Sequence, residues 1–204
     1  MRFEQNHAYH LYNRGNNKVP IFFNHANYVY FLKKVRNEWL PFCEIINYCL
    51  MPNHFHFIIA PKFEGCQTIH ANNKMSIQKL SKAIGKTLSS YTQAINIQNK
   101  TVGTLFQKKT KAKCLTDSLT INPTYTTTEY LFTCFHYIHF NPAKAKLVTS
   151  LHEWPYSSWL DYYGYRNGSL CNQVLGRKLI GLNEKDLKSQ DLISLPNEII
   201  EDIW

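Results

Sequence analysis

Two histidines separated by one residue, His54 and His56, lie in an apolar and aromatic stretch that is typical of a β-strand. Side chains at positions i and i+2 of a strand project from the same face, so both imidazoles can reach one metal ion. Histidine pairs of this kind also occur on ordinary sheet faces, where a buried histidine satisfies its hydrogen bonds within the core. The pair alone is therefore compatible with a metal site and with a structural role.

A second group of residues with chemical potential lies near position 140, in the segment FHYIHFNP. Tyr137 and Asn141 are four residues apart, so they share one face of a helix if the helix extends that far. An amide oxygen is a suitable third ligand for a hard divalent ion. The alternative is a tyrosine packed in an aromatic helix face, followed by an asparagine that ends the helix before Pro142.

The distribution of charge indicates a polyanionic partner. The formal net charge is +9, and residues 65–116 include no aspartate or glutamate. The same stretch contains nine lysines, namely Lys74, Lys79, Lys82, Lys86, Lys100, Lys108, Lys109, Lys111 and Lys113. A field of this kind favours nucleic acid, although a basic surface also serves solubility alone.

Composition excludes several classes of protein. The 204 residues, 44% hydrophobic and 14% aromatic, suffice for one domain with a full core. No apolar run reaches the roughly 18 residues of a membrane span, and no segment resembling a signal peptide opens the chain. We therefore expect a cytoplasmic protein with no membrane partner. The six cysteines form no C-x-x-C pair, which argues against a disulfide framework or a zinc ribbon.

Periodicity and turn residues predict the elements that position these side chains. Strands are predicted over residues 8–14, 43–51 and 54–61, with a further strand or hairpin over residues 102–115. Helices are predicted over residues 25–39, 76–96 and 126–140. Asn24 and a capping box of Thr126 and Glu129 mark two helix starts, and Pro142 is expected to end the last helix.

This order of elements predicts the architecture. Strand, helix, strand, strand, helix, strand is the order of the split βαβ arrangement. We therefore predict an α+β fold of the ferredoxin or RRM-like type, with an antiparallel sheet, helices on one face, and the helix of Tyr137 following the sheet. Such a fold by itself assigns no function.

Taken together, the motifs resemble those of a known enzyme family. The segments MPNHFH at residues 51–56 and YIHFNPAKA at residues 137–145 resemble the paired motifs of single-tyrosine HUH transposases. Within that family they most resemble the REP-associated tyrosine transposases, which are related to the insertion-sequence-200-like group. The similarity spans residues 9–164 and includes the segments NRG, GTLFQ and WPYSS. One departure is Lys146, because the family often has glycine at this position.

The resemblance implies a mechanism and a set of site residues. His54, His56 and Asn141 would bind a divalent metal, Mg²⁺ or Mn²⁺, and Tyr137 would be the nucleophile that forms a 5′-phosphotyrosine link. The link conserves the energy of the phosphodiester, in agreement with the absence of a G-x-x-x-x-G-K-[ST] loop. Residues 1–164 would form the catalytic domain, and residues 165–204 a C-terminal extension of unknown role. No general base is identified.

The resemblance also implies the substrate, single-stranded DNA that folds into a repeat hairpin. Asn13 and Arg14 are candidate DNA contacts by similarity, and lysines are candidate phosphate contacts. These lysines are Lys79, Lys82, Lys86, Lys108, Lys109 and Lys111. We expect association with the nucleoid, and both a homodimer and a monomer are compatible with the family.

Two alternatives differ from the transposase hypothesis in what happens to DNA. A domesticated protein would bind DNA hairpins without cutting them, and a metal-dependent hydrolase would cut through water without forming an adduct with the protein. Retention of His54, His56, Tyr137 and Asn141 together argues against the first, since a protein that only binds has no need of all four.

Overall fold

The computed structural model describes residues 1–71, 75–117 and 124–182. Its strands are β1 (Tyr9–Arg14), β2 (Cys43–Met51), β3 (His54–Pro61), β4 (Thr68–Ala71), β5 (Met75–Gln78) and β6 (Lys111–Cys114). Its α-helices are α1 (His25–Trp39), α2 (Phe63–Cys66), α3 (Lys79–Asn99), α4 (Thr127–Lys144), α5 (Trp159–Tyr162) and α6 (Gln173–Ile180). Short 3-10 helices cover Asn16–Lys18 and Leu151–Glu153.

The central sheet has four strands in the order β2-β3-β1-β6, with antiparallel neighbours throughout. Strand β3 inserts between β1 and β2, and β6 joins the far side of β1, so the sheet has the strand order of a split βαβ unit. The predicted α+β class and split βαβ arrangement are therefore confirmed. Strands β4 and β5 form a separate two-stranded hairpin.

Helices α1 and α3 cover one face of the sheet. The ring of Phe31 in α1 lies 5.4 Å from the ring of Phe55 in β3, and Trp39 packs edge-on against Phe57. Trp39 also donates its indole N–H to Thr87 of α3 at 3.0 Å, which ties the two helices together. These aromatic side chains are buried and form much of the apolar core.

Helix α4 covers the opposite face. The amide Nδ2 of Asn47 in β2 donates to the Phe135 carbonyl of α4 at 3.1 Å, and the ring of His56 in β3 contacts Tyr137. Because side chains alternate along a strand, the two histidines of β3 project toward α4 while its phenylalanines project toward α1. The helix of Tyr137 therefore lies on the histidine face.

Several predicted bounds agree with the structure residue for residue. Strands β2 and β3 and helix α1 have the predicted bounds. The Asn24 side chain accepts the Asn27 N–H at 3.1 Å, and Thr126 and Glu129 form the predicted capping box. In these segments local pattern and tertiary packing favour the same structure.

The predicted helix over residues 76–96 is wrong at both ends, because residues 75–78 form β5 and α3 runs from Lys79 to Asn99. Strand β5 pairs with β4, and the Gln78 side-chain amide bonds both the N–H and the carbonyl of Phe3, at 2.7 and 2.8 Å. These contacts with distant residues hold the segment extended despite its helical periodicity. The prediction over residues 102–115 is also too broad, since only β6 is a regular strand there.

The predicted end of the last helix at Asn141 and Pro142 is wrong as well. Helix α4 passes through Pro142 and continues to Lys144. The side chain of Asn141 donates to the Tyr137 and Ile138 carbonyls at 3.0 and 3.3 Å, which compensates for the N–H that proline lacks. As a result, Tyr137 and Asn141 share one helical face.

Residues 165–182 pack on the same core as the sheet. The Asn172 N–H donates to the Ile45 carbonyl of β2 at 2.8 Å, and Leu170, Cys171 and Ile180 belong to the buried apolar cluster. The rest of the predicted extension, residues 183–204, lies outside the described residues. No helix among the described residues has the length and apolarity needed to cross a membrane.

Candidate metal and nucleophile site

Both histidines of β3 lie close to Tyr137 of α4. The His54 and His56 ring centroids are 5.0 Å apart, and the His56 ring is 6.3 Å from the Tyr137 ring in an edge-on arrangement. His56 is fully buried. The two segments that the sequence singled out are thus adjacent across the interface between sheet and helix.

Hydrogen bonds at Nδ1 determine which nitrogen each imidazole presents to the site. Nδ1 of His56 lies 2.8 Å from Nε2 of His10, and Nδ1 of His54 lies 2.6 Å from Oδ1 of Asn53. In both rings Nε2 is then the atom that can coordinate an ion. Metal-binding histidines are commonly oriented by a partner at the other ring nitrogen in this way.

Burial keeps both imidazoles neutral. It lowers the pKa of His54 to about 4, an effect that the nearby Asn141 side chain partly opposes. Burial also lowers the pKa of His56 well below its usual range, and the neighbouring His10 and His54 lower it further. A neutral imidazole is the form that binds a metal ion, so both side chains are ready to act as ligands at neutral pH.

Tyr137 and Asn141 are buried one helical turn apart, with 3% and 7% of their surfaces exposed. Burial raises the pKa of the Tyr137 phenol, and the neighbouring Cys134 and Tyr12 raise it further. The Lys144 ammonium lies 5.3 Å above the Tyr137 ring centroid. A phenol in this setting is a weak nucleophile until a nearby positive charge stabilises its anion.

Two imidazoles and an amide oxygen fit a divalent ion that accepts mixed nitrogen and oxygen ligands, as Mn²⁺ does. The Asn141 side chain lies close enough to His54 to raise its pKa against the effect of burial, so the amide is beside the first imidazole. Within the described ranges, no group of three or more His, Cys, Asp or Glu side chains is arranged to hold a metal ion. An ion at this site would therefore depend on Asn141 as well as on the histidines.

A cavity of about 260 Å³ opens beside the histidine pair. It is lined by Tyr12, Asn13, Arg14, His54, His56, Gln107, Lys109 and Lys111. No carboxylate is among these lining residues, so the cavity suits a phosphate. Tyr137 and Asn141 are not among them, and both are buried.

The predicted DNA-contacting residues fall into two regions. Arg14, Lys109 and Lys111 line the cavity, and Lys108 lines an adjacent cleft of about 520 Å³ between α3 and residues 103–110. Asn13 lines both, but its Nδ2 donates to Gln107 O and Thr110 Oγ1 at 3.1 and 2.9 Å.

The α3 lysines lie on the helix that covers the other face of the sheet. Lys79 pairs with Glu64, and Lys86 pairs with Glu38 at 2.8 Å, whereas Lys82 is exposed. These positions separate the cavity lysines from the α3 lysines. That all of them contact DNA stays a prediction.

Sequence reasoning missed two aromatic residues of the site, His10 and Tyr12. Tyr12 pairs with His56 across β1 and β3, and its ring stacks on His10 at 4.6 Å. Lys111 of β6 lies 5.6 Å from the Tyr12 ring centroid. The only signal in the sequence was that His10, Tyr12 and Arg14 alternate along β1 and so share a face.

Comparison with known proteins gives a likeness of fold. No family model matches the chain, and no curated protein matches it. A solved structure of a REP-associated tyrosine transposase bound to a REP hairpin superposes with a TM-score of 0.54 at 14% identity. The match covers 80% of this chain and 83% of the other. The two proteins share a fold.

Proposed function

We propose that this chain is a tyrosine transposase of the HUH type, which nicks and rejoins single-stranded DNA. Tyr137 is the nucleophile in this proposal, and His54, His56 and Asn141 hold a divalent ion, Mg²⁺ or Mn²⁺. The observation that carries the proposal is the approach of Tyr137 to His56, with ring centroids 6.3 Å apart, although 81 positions separate them in the chain. The transposase of similar fold, solved with a REP hairpin, supports DNA as the partner.

The proposed reaction exchanges one bond at the phosphorus of the scissile phosphodiester for another. The phenolic oxygen of Tyr137 forms a bond to phosphorus and loses its proton to solvent, while the bond between phosphorus and the 3′ oxygen breaks and that oxygen takes up a proton from solvent. A 5′-phosphotyrosine link and a free 3′-hydroxyl result. A DNA 3′-hydroxyl later attacks the same phosphorus and regenerates the phenol, so no ATP is needed. The divalent ion, when bound, would polarise the scissile phosphate and neutralise developing charge.

The phenol must lose its proton although burial raises its pKa. Lys144 lies 5.3 Å above the Tyr137 ring, so its ammonium can stabilise the phenolate by charge. Tyr12 is a competing phenol, because it lines the cavity and lies close enough to affect the Tyr137 pKa. A test of the nucleophile must therefore compare these two tyrosines.

The proposed substrate is a hairpin-forming DNA repeat with a single-stranded flank. Arg14, Lys109 and Lys111 supply positive charge around the cavity beside the histidines, where a phosphate would enter. Assignment to the REP-associated subgroup, a nucleoid location in the cytoplasm and a possible homodimer are parts of the same proposal.

Covalent capture of DNA tests the nucleophile. A panel of end-labelled, single-stranded hairpin oligonucleotides is incubated with the full chain and Mn²⁺, then resolved on a denaturing gel. We expect an adduct of protein and DNA that EDTA prevents and that Tyr137→Phe abolishes, while Tyr12→Phe still forms it. An adduct that persists in Tyr137→Phe and disappears in Tyr12→Phe would contradict the assignment.

Two pairs of lysines test the path of the DNA. We expect Lys109→Gln with Lys111→Gln to weaken hairpin binding and to reduce the salt dependence of the binding constant, by a slope of about 0.7 for each lost phosphate contact to single-stranded DNA. The matched control is Lys79→Gln with Lys86→Gln, which removes the same charge from α3, where carboxylates already pair with both lysines. Equal losses in the two double variants would contradict a path through the cavity.

One observation favours the alternative of a DNA-hairpin-binding protein that does not cleave. Only 3% of Tyr137 is exposed, and the residue does not line the cavity. Under this alternative the chain binds hairpins with or without Mn²⁺, and no adduct or nick forms across a panel of hairpins. Cleavage without an adduct would indicate instead a hydrolase that acts through water.

A further inference from the structure

Pro142 leaves one backbone carbonyl of helix α4 without its usual donor. In an α-helix the N–H of residue i+4 donates to the carbonyl of residue i, so position 142 would serve Ile138. Proline has no N–H to give. The helix nevertheless continues to Lys144, so another group must compensate at this point.

The side chain of Asn141 supplies the missing donor. Its Nδ2 lies 3.3 Å from the Ile138 carbonyl oxygen and 3.0 Å from the Tyr137 carbonyl oxygen. A carbonyl oxygen only accepts hydrogen bonds, so the amide atom facing these two oxygens must be nitrogen. The orientation of the Asn141 amide is therefore fixed by the helix that carries it.

The other atom of the amide then faces the histidines. Oδ1 lies on the opposite side of the amide group from Nδ2 and so points away from the two carbonyls. The Asn141 side chain acts on the pKa of His54 against the effect of burial, so the amide adjoins the imidazole. Oδ1, the only atom of this amide that can coordinate a cation, is turned toward the side of the helix on which the metal ligands lie.

We propose that Pro142 is a positioning residue of the ion site. By withholding an N–H from the Ile138 carbonyl, it makes that carbonyl an acceptor for Nδ2 of Asn141 and so directs Oδ1 toward His54. The inference rests on the proposed ligand role of Asn141. Helix propensity alone disfavours a proline at this position, and the positioning role gives a reason for its presence.

Asn53 orients the next ligand by the same principle. Its Nδ2 donates to the Lys18 carbonyl at 3.3 Å, which leaves Oδ1 to face Nδ1 of His54 at 2.6 Å. Since Oδ1 can only accept, Nδ1 of His54 carries the proton and Nε2 keeps its lone pair. At both positions a backbone carbonyl fixes an asparagine amide, and that amide determines which atom the site presents.

Binding of Mn²⁺ by Pro142→Ala tests the inference. Alanine restores an N–H that competes with Nδ2 for the Ile138 carbonyl, and it favours the helix more than proline does. We expect the dissociation constant for Mn²⁺, measured by calorimetry on the full chain, to rise about tenfold. The thermal midpoint should stay the same or rise. The matched control is Pro155→Ala, in an exposed loop, which should leave the dissociation constant unchanged.

A second measurement needs no metal. In NMR spectra of the metal-free protein, we expect the Asn141 side-chain amide protons to exchange slowly in the wild type and faster in Pro142→Ala. Unchanged exchange, or a dissociation constant for Mn²⁺ equal to that of the wild type, would overturn the inference. Loss of thermal stability with unchanged affinity would overturn it too, because Pro142 would then have only a structural role.

These outcomes separate the inference from the proposed function. If the wild-type chain does not bind Mn²⁺, the metal site of the proposed function fails. Amide exchange in the metal-free protein still decides whether Pro142 orients Asn141. If the wild type binds Mn²⁺ and Pro142→Ala binds it equally well, the proposed function stands and the positioning role is rejected.

Discussion

The end of helix α4 places Lys146 in a backbone conformation that favours glycine. Its φ is +56°, in the left-handed region. The Lys146 N–H donates to the Ala143 carbonyl and the Leu147 N–H to the Pro142 carbonyl, each at 2.9 Å. These two bonds define a Schellman motif with Lys146 at the position after the helix cap, where glycine is most common. The family that the sequence resembles often has glycine at this same position.

The expected effect of Lys146→Gly follows from two opposing contributions. An L-residue in the left-handed region costs roughly 1–2 kcal/mol, a cost that glycine avoids. Glycine also loses more backbone entropy on folding, which destabilises the folded state by roughly 0.5–1 kcal/mol and offsets part of this gain. The net expectation is that the free energy of unfolding rises by about 0.5–1 kcal/mol. At about 2–4 °C per kcal/mol for a chain of this size, the thermal midpoint should rise by about 1–4 °C.

Urea denaturation with thermal scans at neutral pH measures this change, and Lys146→Ala is the matched control. Alanine removes the same charge and the same long side chain but keeps the Cβ that strains the left-handed conformation. We therefore expect no comparable gain from alanine. If alanine stabilises as much as glycine, the effect comes from charge or side-chain entropy and the argument from backbone strain is refuted.

Three further predictions concern packing and protonation. Gly176→Ala should lower the free energy of unfolding by about 2 kcal/mol or more, because the added Cβ would lie 1.9 Å from the Tyr162 hydroxyl oxygen. That hydroxyl donates to the Ile46 carbonyl of β2, and the clash would disturb this bond; urea midpoints measure the loss. Gly85→Ala should gain about 0.5–1 kcal/mol in the same assay, because Gly85 is an exposed position inside α3 where an added Cβ would meet no atom within 4 Å. The pKa of His54 is about 4 in the folded chain, whereas the unfolded chain takes up this proton near pH 6.5. The free energy of unfolding should therefore decrease as the pH is lowered from 6.5 to 4, by roughly 3 kcal/mol from this residue. Unfolding in EDTA at pH 7 and pH 5 should give a smaller difference for His54→Gln.

Elements that depend on local pattern could be predicted from the sequence, and those that depend on distant contacts could not. Helix α1 begins at the Asn24 cap and ends before Pro41, so its bounds are written in adjacent residues. The start of α3 is determined instead by the Gln78 amide, which bonds Phe3, 75 positions away. Nothing near Gln78 in the sequence marks that contact, and the helical periodicity around it predicts the opposite structure.

The candidate site shows the same division. Spacing within one element predicts that His54 and His56 share a face of β3, and that Tyr137 and Asn141 share a face if their helix persists. That Tyr12 lies opposite His56 depends on the register between β1 and β3, which no residue of either strand reveals alone. The persistence of α4 through Pro142 likewise depends on a side-chain bond that the rule for residues before proline does not consider.

The alternation along β3 assigns folding and chemistry to opposite faces of one strand. Phe55 and Phe57 bury their rings against α1, whereas His54 and His56 face α4, where burial keeps them neutral. A shift of β3 by one residue would exchange the two sets, placing phenylalanines against Tyr137 and imidazoles in the apolar core. The free energy of burying the aromatic face therefore fixes the register on which the histidine face depends. Substitutions at Phe55 or Phe57 should accordingly weaken the metal binding that we propose for the histidine face, measured as the dissociation constant for Mn²⁺, although neither residue lines the cavity.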